Sequence, residues 1–83
     1  MWIRSQDGTI LMDCDSFAVE DHSGKYEVIT LSGKSGISIS LGTYSTKEKA
    51  LKVLDQIQYN VELFEHELTM VFQMPTDTEV DEV

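Results

Sequence analysis

Three consecutive residues near the middle of the chain match the last three positions of the phosphate-binding loop motif. Gly33, Lys34 and Ser35 stand together there. The complete motif needs another glycine five residues before Gly33 and a helix after the serine, because the helix N-terminus faces the phosphates. Position 28 is Val28, and residues 37–41 alternate between apolar and polar types as a strand does. The stretch therefore predicts a turn between two strands.

A second group of residues with metal-binding side chains lies between positions 13 and 22. Its spacing fits no calcium loop, because Phe17 stands where that pattern requires Asp or Asn. A single cysteine can form neither an internal disulfide nor a C-x-x-C site. We predict strand ends and turns here, with no metal and no cofactor. The group comprises Asp13, Cys14, Asp15, Glu20, Asp21 and His22.

Catalytic residues are also not predicted. Cys14 with His22 or His66 would supply a nucleophile and a base, but such pairs need a third group that orients the base. Cysteine is among the most buried residue types, which favours a core position for Cys14. We expect a protein that is not an enzyme.

Trp2 and Arg4 are two residues apart and share one face of a predicted strand. An aromatic ring beside a guanidinium can stack a base and hold a phosphate. Lys25 and Lys34, on predicted turns, complete a possible ligand-binding set. A monomer offers few cations for a multiply charged ligand, so a nucleotide would require an oligomer. The alternative is that Trp2 covers the core while Arg4 pairs with an acid.

Negative charge is concentrated in the second part of the chain. The net charge is −9, and all six basic residues lie within the first 52 positions. Residues 53–83 hold eight acids and no base, which disfavours direct binding to nucleic acid. The acids either form a solvated surface or imitate nucleic acid to a basic partner. The predicted partner-binding face comprises Asp55, Glu62, Glu65 and Glu67.

Short β-strands separated by turns dominate the first half. Asp7-Gly8 and Gly24 mark turns, and short connections between consecutive strands imply antiparallel pairing. We predict an α+β fold: an antiparallel meander sheet of four or five short strands, with one long C-terminal amphipathic helix packed on one face. The predicted strands are 2–5, 9–14, 17–20, 26–31 and 37–41, and residues 69–74 form a possible edge strand.

The helix is predicted from residue 46 to residue 68, with a capping box from Ser45 to Glu48 at its start. An apolar stripe runs along it at helical spacing. A helix of this length measures about 34 Å and would overhang the sheet. Its far end, comprising Val61, Phe64 and Leu68, would then meet a second copy in a homodimer, unless residues 70–74 fold back over it. The stripe comprises Ala50, Leu54, Ile57, Val61, Phe64 and Leu68.

Residues 1–75 are predicted to form a single domain, and residues 76–83 an acidic mobile tail. The start of the chain has no long apolar run behind a basic region, so we expect no signal peptide. No apolar run approaches the length of a membrane helix. The expected compartment is the cytoplasm, without a membrane partner.

Three segments carry a resemblance to a known group of proteins. They are residues 1–7 (MWIRSQD), residues 41–57 with LGTYST before the helix, and residues 72–75 (FQMP). The chain resembles small uncharacterised proteins of Gram-positive bacteria and of their phages and mobile elements. The resemblance implies an accessory cytoplasmic role and brings no catalytic residue.

The leading hypothesis is a small acidic, non-enzymatic accessory factor, plausibly phage-encoded, that binds and inhibits a host protein. Counter-defence by nucleic-acid mimicry is one form of it. A protein that sequesters a small molecule or nucleotide signal is the second hypothesis, and a purely structural homodimer is the third.

Overall fold

A computed structural model describes residues 1–32, 36–64 and 71–80 of the chain. Within these ranges the fold is α+β, with five strands before the α-helix in the chain and one strand after it. The elements in chain order are β1 (Trp2–Arg4), β2 (Leu11–Asp13), β3 (Ala18–His22), β4 (Lys25–Ser32), β5 (Ile37–Tyr44), α1 (Lys47–Phe64), β6 (Val71–Gln73) and a 3-10 helix (Asp77–Glu79).

The strands form two three-stranded sheets. In sheet A the order is β2-β1-β6, and in sheet B it is β3-β4-β5. Sheet B is antiparallel throughout, and so is the β1–β2 pair. The β1–β6 pair is parallel, with Ile3 opposite Phe72. A parallel neighbour requires a long connection, and the chain between β1 and β6 runs through β2 to β5 and α1.

The predicted meander with a C-terminal helix is wrong. Its strands separate into two sheets, and α1 lies in the middle of the chain, between β5 and β6. The error has a physical cause, because turn residues report only local connections. They carry no information on whether β6 joins the strand before it or the first strand of the chain.

Helix α1 packs on sheet B through one narrow face. Ala50, Val53 and Ile57 are buried at helical spacing and join the core. Two members of the predicted stripe are less buried than expected, because Leu54 is only partly buried and Val61 is 42% exposed. The helix ends at Phe64, and residues 65–68 of the predicted helix lie outside the described ranges.

The helix begins at Lys47, one residue later than predicted, and Thr46 takes the place of Ser45 as its cap. The Thr46 hydroxyl accepts a hydrogen bond from the Lys49 backbone N–H at 3.2 Å, which satisfies one free donor of the first turn. Ser45 is engaged elsewhere, since its N–H and hydroxyl both donate to Asp77.

One core unites both sheets, the helix and the segment after β6. It contains Met74 and Val80, both almost fully buried. Residues 76–80, predicted as part of a mobile tail, thus pack against the domain, while residues 81–83 lie outside the described ranges. The other buried core members are Ile3, Cys14, Val28, Leu41, Tyr44, Ala50, Val53 and Ile57.

The side chain of Gln6 joins the two sheets. Its Oε1 accepts a hydrogen bond from the Thr43 N–H at 3.0 Å, and its Nε2 donates to the Thr43 carbonyl at 3.0 Å. The same Nε2 donates to the Pro75 carbonyl at 3.2 Å. The Gln6 N–H donates to the Leu41 carbonyl at 2.8 Å. One residue therefore links the end of β1 to β5 and to the chain beyond β6.

Tyr44 also bonds to Pro75, at the joint that Gln6 forms between the two sheets. Its hydroxyl donates to the Pro75 carbonyl at 2.7 Å. Burial raises the pKa of this hydroxyl, and the Asp77 and Glu79 carboxylates add to the rise, so Tyr44 acts as a neutral donor. A Cβ at Gly42 would lie 3.0 Å from the Tyr44 hydroxyl and 3.3 Å from the Gln6 Cβ. The absence of a side chain at Gly42 permits this close packing.

Asp77 connects the segment after β6 to the start of α1. Its Oδ1 accepts from the Ser45 N–H at 2.7 Å, and its Oδ2 lies 3.5 Å from the Lys49 Nζ. The Ser45 N–H contributes most to a lowered pKa of Asp77. A carboxylate is also favoured beside the positive end of the helix dipole.

The Asp77→Asn variant tests this anchor by its pH dependence. The folded-state pKa of Asp77 is lowered, so its stabilising effect is complete above the unfolded pKa of about 4. That effect is lost as the pH falls through the folded pKa. We expect Asp77→Asn to unfold at lower urea concentration than the wild type at pH 7 and at the same concentration near pH 2.

The matched control is Asp15→Asn, which alters an exposed carboxylate outside the joint. It should keep the wild-type pH profile. A difference between Asp77→Asn and wild type that is equal at pH 2 and pH 7 would contradict the charged anchor.

Thr30 presents an unsatisfied polar group to the core. Its side chain is 1% exposed, and its hydroxyl has no hydrogen-bond partner among the described residues. It neighbours the thiol of Cys14, where burial raises the pKa and the Thr30 hydroxyl opposes that rise. Sulfur is a weak acceptor, so this neighbour compensates little for the lost hydration of the hydroxyl.

Thr30→Val should therefore raise the free energy of unfolding by about 1 kcal/mol, because a methyl group replaces the unpaired hydroxyl at nearly constant volume. Urea denaturation measures the change. Thr46→Val is the matched control and should lower the same quantity by about 1 kcal/mol, since it removes a helix cap. Destabilisation by both substitutions would show that the Thr30 hydroxyl has a partner.

Candidate functional site

The outward face of α1 combines acidic and large apolar side chains. At 3.6 residues per turn, its members fall within about 80° of arc, opposite the buried Ala50, Val53 and Ile57. We call this surface the outer stripe. It comprises Glu48, Leu51, Asp55, Tyr59 and Glu62, all of them exposed.

Two apolar side chains of the outer stripe stand in solvent. Leu51 is 41% exposed and Tyr59 is 61% exposed. Both lie within one helical turn of Asp55, one before it and one after it along the helix. Gln58 donates to a Glu62 carboxylate oxygen at 3.0 Å and restrains that acid. Large exposed side chains on a rigid helix can act as anchors for a partner.

Acidic groups dominate the surface of the described residues. The exposed bases there are Arg4, Lys25 and Lys47, and Lys52 is partly buried at the margin of the outer stripe. A surface with this balance attracts basic partners over distance. The exposed acids are Asp7, Asp13, Asp15, Glu20, Asp21, Glu48, Asp55, Glu62 and Glu79.

The predicted acidic face is described in part. Asp55 and Glu62 lie together on the outer stripe, whereas Glu65 and Glu67 lie outside the described ranges. Sequence reasoning did not assign Leu51 or Tyr59 to a functional surface. The signal was present, because positions 48, 51, 55, 59 and 62 recur at helical spacing on the side opposite the buried residues.

The predicted self-association surface is also described in part. Val61 is 42% exposed near the end of the buried face of α1. Leu68 and the side chain of Phe64 lie outside the described part of the chain. Self-association through these three residues stays a prediction.

Trp2 and Arg4 share the outer face of sheet A. Trp2 is 42% exposed, so it does not cover the core as the alternative interpretation required. The Arg4 Nε donates to the Gly8 carbonyl at 3.0 Å. The register places Leu11 and Val71 on the same face, and they are 52% and 50% exposed. Trp2 and Arg4 thus form an exposed face with apolar neighbours.

The described structure does not place the two lysines of the predicted ligand set on the face that holds Trp2 and Arg4. Lys25 begins β4 and pairs with His22 at the hairpin of sheet B, not in sheet A. Lys34 lies outside the described ranges. Arg4 is thus the basic residue that the described strands place on the Trp2 face.

The residues considered for metal binding or catalysis are spread along strand ends. Within residues 1–32, 36–64 and 71–80, no three side chains of His, Cys, Asp or Glu come together to hold a metal ion. Cys14 is buried, and burial raises the pKa of its thiol, which disfavours the nucleophilic thiolate. His22 is exposed at the β3–β4 hairpin.

No helix in the described part of the chain combines the length and apolar character needed to cross a membrane. Comparisons with family models, curated proteins and solved structures give no match for this chain. The resemblance to proteins of Gram-positive bacteria and their mobile elements therefore stays a prediction.

Proposed function

We propose that the chain is a small, acidic, non-enzymatic binding protein that docks onto a basic partner protein through the outer stripe. The observation that carries the proposal is the exposure of Leu51 and Tyr59 on the same helix face as three carboxylates. A surface that served only solubility would have no need of these two apolar groups.

The two types of side chain act on different steps of association. Carboxylates steer a basic partner toward the stripe and speed the encounter, mainly at low salt. The Tyr59 ring and the Leu51 side chain then enter apolar pockets, where desolvation gives most of the binding energy. The partner is therefore a protein whose basic surface contains apolar depressions. Inhibition would follow if that surface is the partner's own working site.

The spacing of charge argues for this mixed surface over close imitation of nucleic acid. Glu48, Asp55 and Glu62 are seven residues apart, which is about 10.5 Å along a helix. One strand of a duplex carries a charge every 3.4 Å or so. The described stripe is much sparser, so mimicry would depend on further acids. A host protein as target, and a phage or mobile element as source, are the form of the proposal that the resemblance implies.

The outer stripe is tested by affinity capture from a Gram-positive lysate with four versions of the full chain as bait. Tyr59→Ala should lower recovery of the specific partner at least about tenfold, as expected for a central anchor. Asp55→Asn should lower recovery at low salt and have less effect at high salt. The matched aromatic control is Trp2→Ala, on the other exposed face, and it should retain the partner.

Quantitative mass spectrometry provides the readout at two salt concentrations, and light scattering gives the mass of the bait itself. A partner retained by Tyr59→Ala, or lost equally with Trp2→Ala, would contradict the outer stripe as the docking surface. A bait that forms a dimer sensitive to Tyr59→Ala would replace the proposal with self-association.

Sequestration of a nucleotide is the second candidate function, favoured by the shared exposed face of Trp2 and Arg4. The indole can stack on a base, and the free edge of the guanidinium can pair with phosphate. Arg4 already donates through Nε to Gly8, which holds its side chain over the β1–β2 turn.

Calorimetry with mononucleotides and cyclic nucleotides tests this second candidate. A binding heat that disappears in Arg4→Ala and persists in Lys25→Ala is the expected result, because Lys25 belongs to the other sheet. Absence of heat across the panel rejects the candidate without touching the outer stripe.

A further inference from the structure

A small cleft opens where the β1–β2 turn meets β5. Its volume is about 100 Å³, and its walls come from residues 5–7, Ile10 and residues 40–43. A single water needs about 10–15 Å³ by the same measure, so the cleft can take a small ligand group. Gly42 contributes to the wall, where it packs close to Tyr44 and Gln6.

The ionisable group of this wall is a carboxylate. Asp7 is exposed at the turn, and none of the described residues that line the cleft is a lysine, arginine or histidine. Ser40 and Thr43 add hydroxyl groups for which the described structure gives no side-chain hydrogen bond. The amide of Gln6 is committed to Thr43 and Pro75 and leaves no free N–H toward an anion. The cleft therefore offers acceptors and a negative charge.

The two oxygens of Asp7 differ in availability. Oδ1 accepts from the Ser5 hydroxyl at 2.8 Å, the Thr9 N–H at 3.0 Å and the Thr9 hydroxyl at 2.7 Å. These bonds lower the pKa of Asp7, with the Thr9 hydroxyl contributing most. Oδ2 has no hydrogen-bond donor among the described residues. The turn thus holds the carboxylate in its charged form with one oxygen unused.

This asymmetry discriminates between cations. A guanidinium binds a carboxylate best through two parallel N–H bonds, one to each oxygen. With Oδ1 occupied by three donors, that geometry is blocked. A primary ammonium carries three donors on one compact centre and needs single acceptors around it. Asp7, Ser40 and Thr43 all line the cleft, so their oxygens are the candidate acceptors for such a group.

We propose that the Asp7 cleft binds a primary ammonium group, as carried by a lysine side chain of a protein partner. The inference does not depend on the outer stripe, because it rests on Asp7, Ser40, Thr43 and the shape of the turn. It assigns the joint between the sheets a recognition role in addition to its structural one.

Amide NMR of the labelled full chain tests the cleft with n-butylammonium chloride as the probe, at constant ionic strength. Saturable shifts are expected at the amides of Gly8, Gly42 and Thr43. Methylguanidinium should bind at least about fivefold more weakly, and tetramethylammonium, which has no N–H donor, should give no saturable shift. Nα-acetyl-lysine-N-methylamide, whose ε-ammonium group is free, should bind at least as well as n-butylammonium if the source is a protein side chain.

Asp7→Asn should weaken n-butylammonium binding about tenfold or more, whereas Asp15→Asn should leave it unchanged. Because Asp7 also orders the turn, Thr43→Val provides a second test that removes one acceptor and keeps Asp7, and it too should weaken binding. Linear shifts, equal shifts with all four cations, or full binding by both Asp7→Asn and Thr43→Val would overturn the proposal.

Discussion

The fold depends on one amide side chain that satisfies three backbone groups from different parts of the chain. Neither three-stranded sheet is large enough to be stable alone, since a sheet needs a partner to cover its apolar face. The Gln6 side chain bonds to both backbone groups of Thr43 and to the Pro75 carbonyl, and the Gln6 backbone N–H donates to the Leu41 carbonyl. Tyr44 adds a second donor to Pro75, so the same carbonyl is fixed from two sides. The core can then be shared by both sheets and by α1.

Residues from the three segments on which the predicted resemblance is based meet at that joint. Gln6 comes from the first segment, Thr43 and Tyr44 come from the second, and Pro75 comes from the third. Their side chains and carbonyls connect the two sheets through hydrogen bonds. The surfaces proposed for recognition lie partly elsewhere, on the outward side of α1 and on the outer face of sheet A. Scaffold and recognition surface can thus vary separately.

Local signals predicted local structure well and distant pairing poorly. The glycines at positions 8 and 24 adopt positive φ at the turns that their sequence context indicated. The buried positions Ala50 and Ile57 of α1 were predicted, whereas Val61 on the same face is 42% exposed. No signal in the local sequence indicates that β1 pairs with β6. The cleft at Asp7 was also unforeseeable, since it depends on the approach of Gly42 across 35 positions of sequence.

The parallel contact between β1 and β6 ties the order of synthesis to the order of folding. Strand β1 obtains its parallel neighbour only when Val71–Gln73 has been made. Until then sheet A consists of a two-stranded hairpin, which is marginally stable in water. Closing so long a loop is slow compared with forming a hairpin or a helix. Sheet A is thus expected to gain its third strand only after α1 and β6 have been translated.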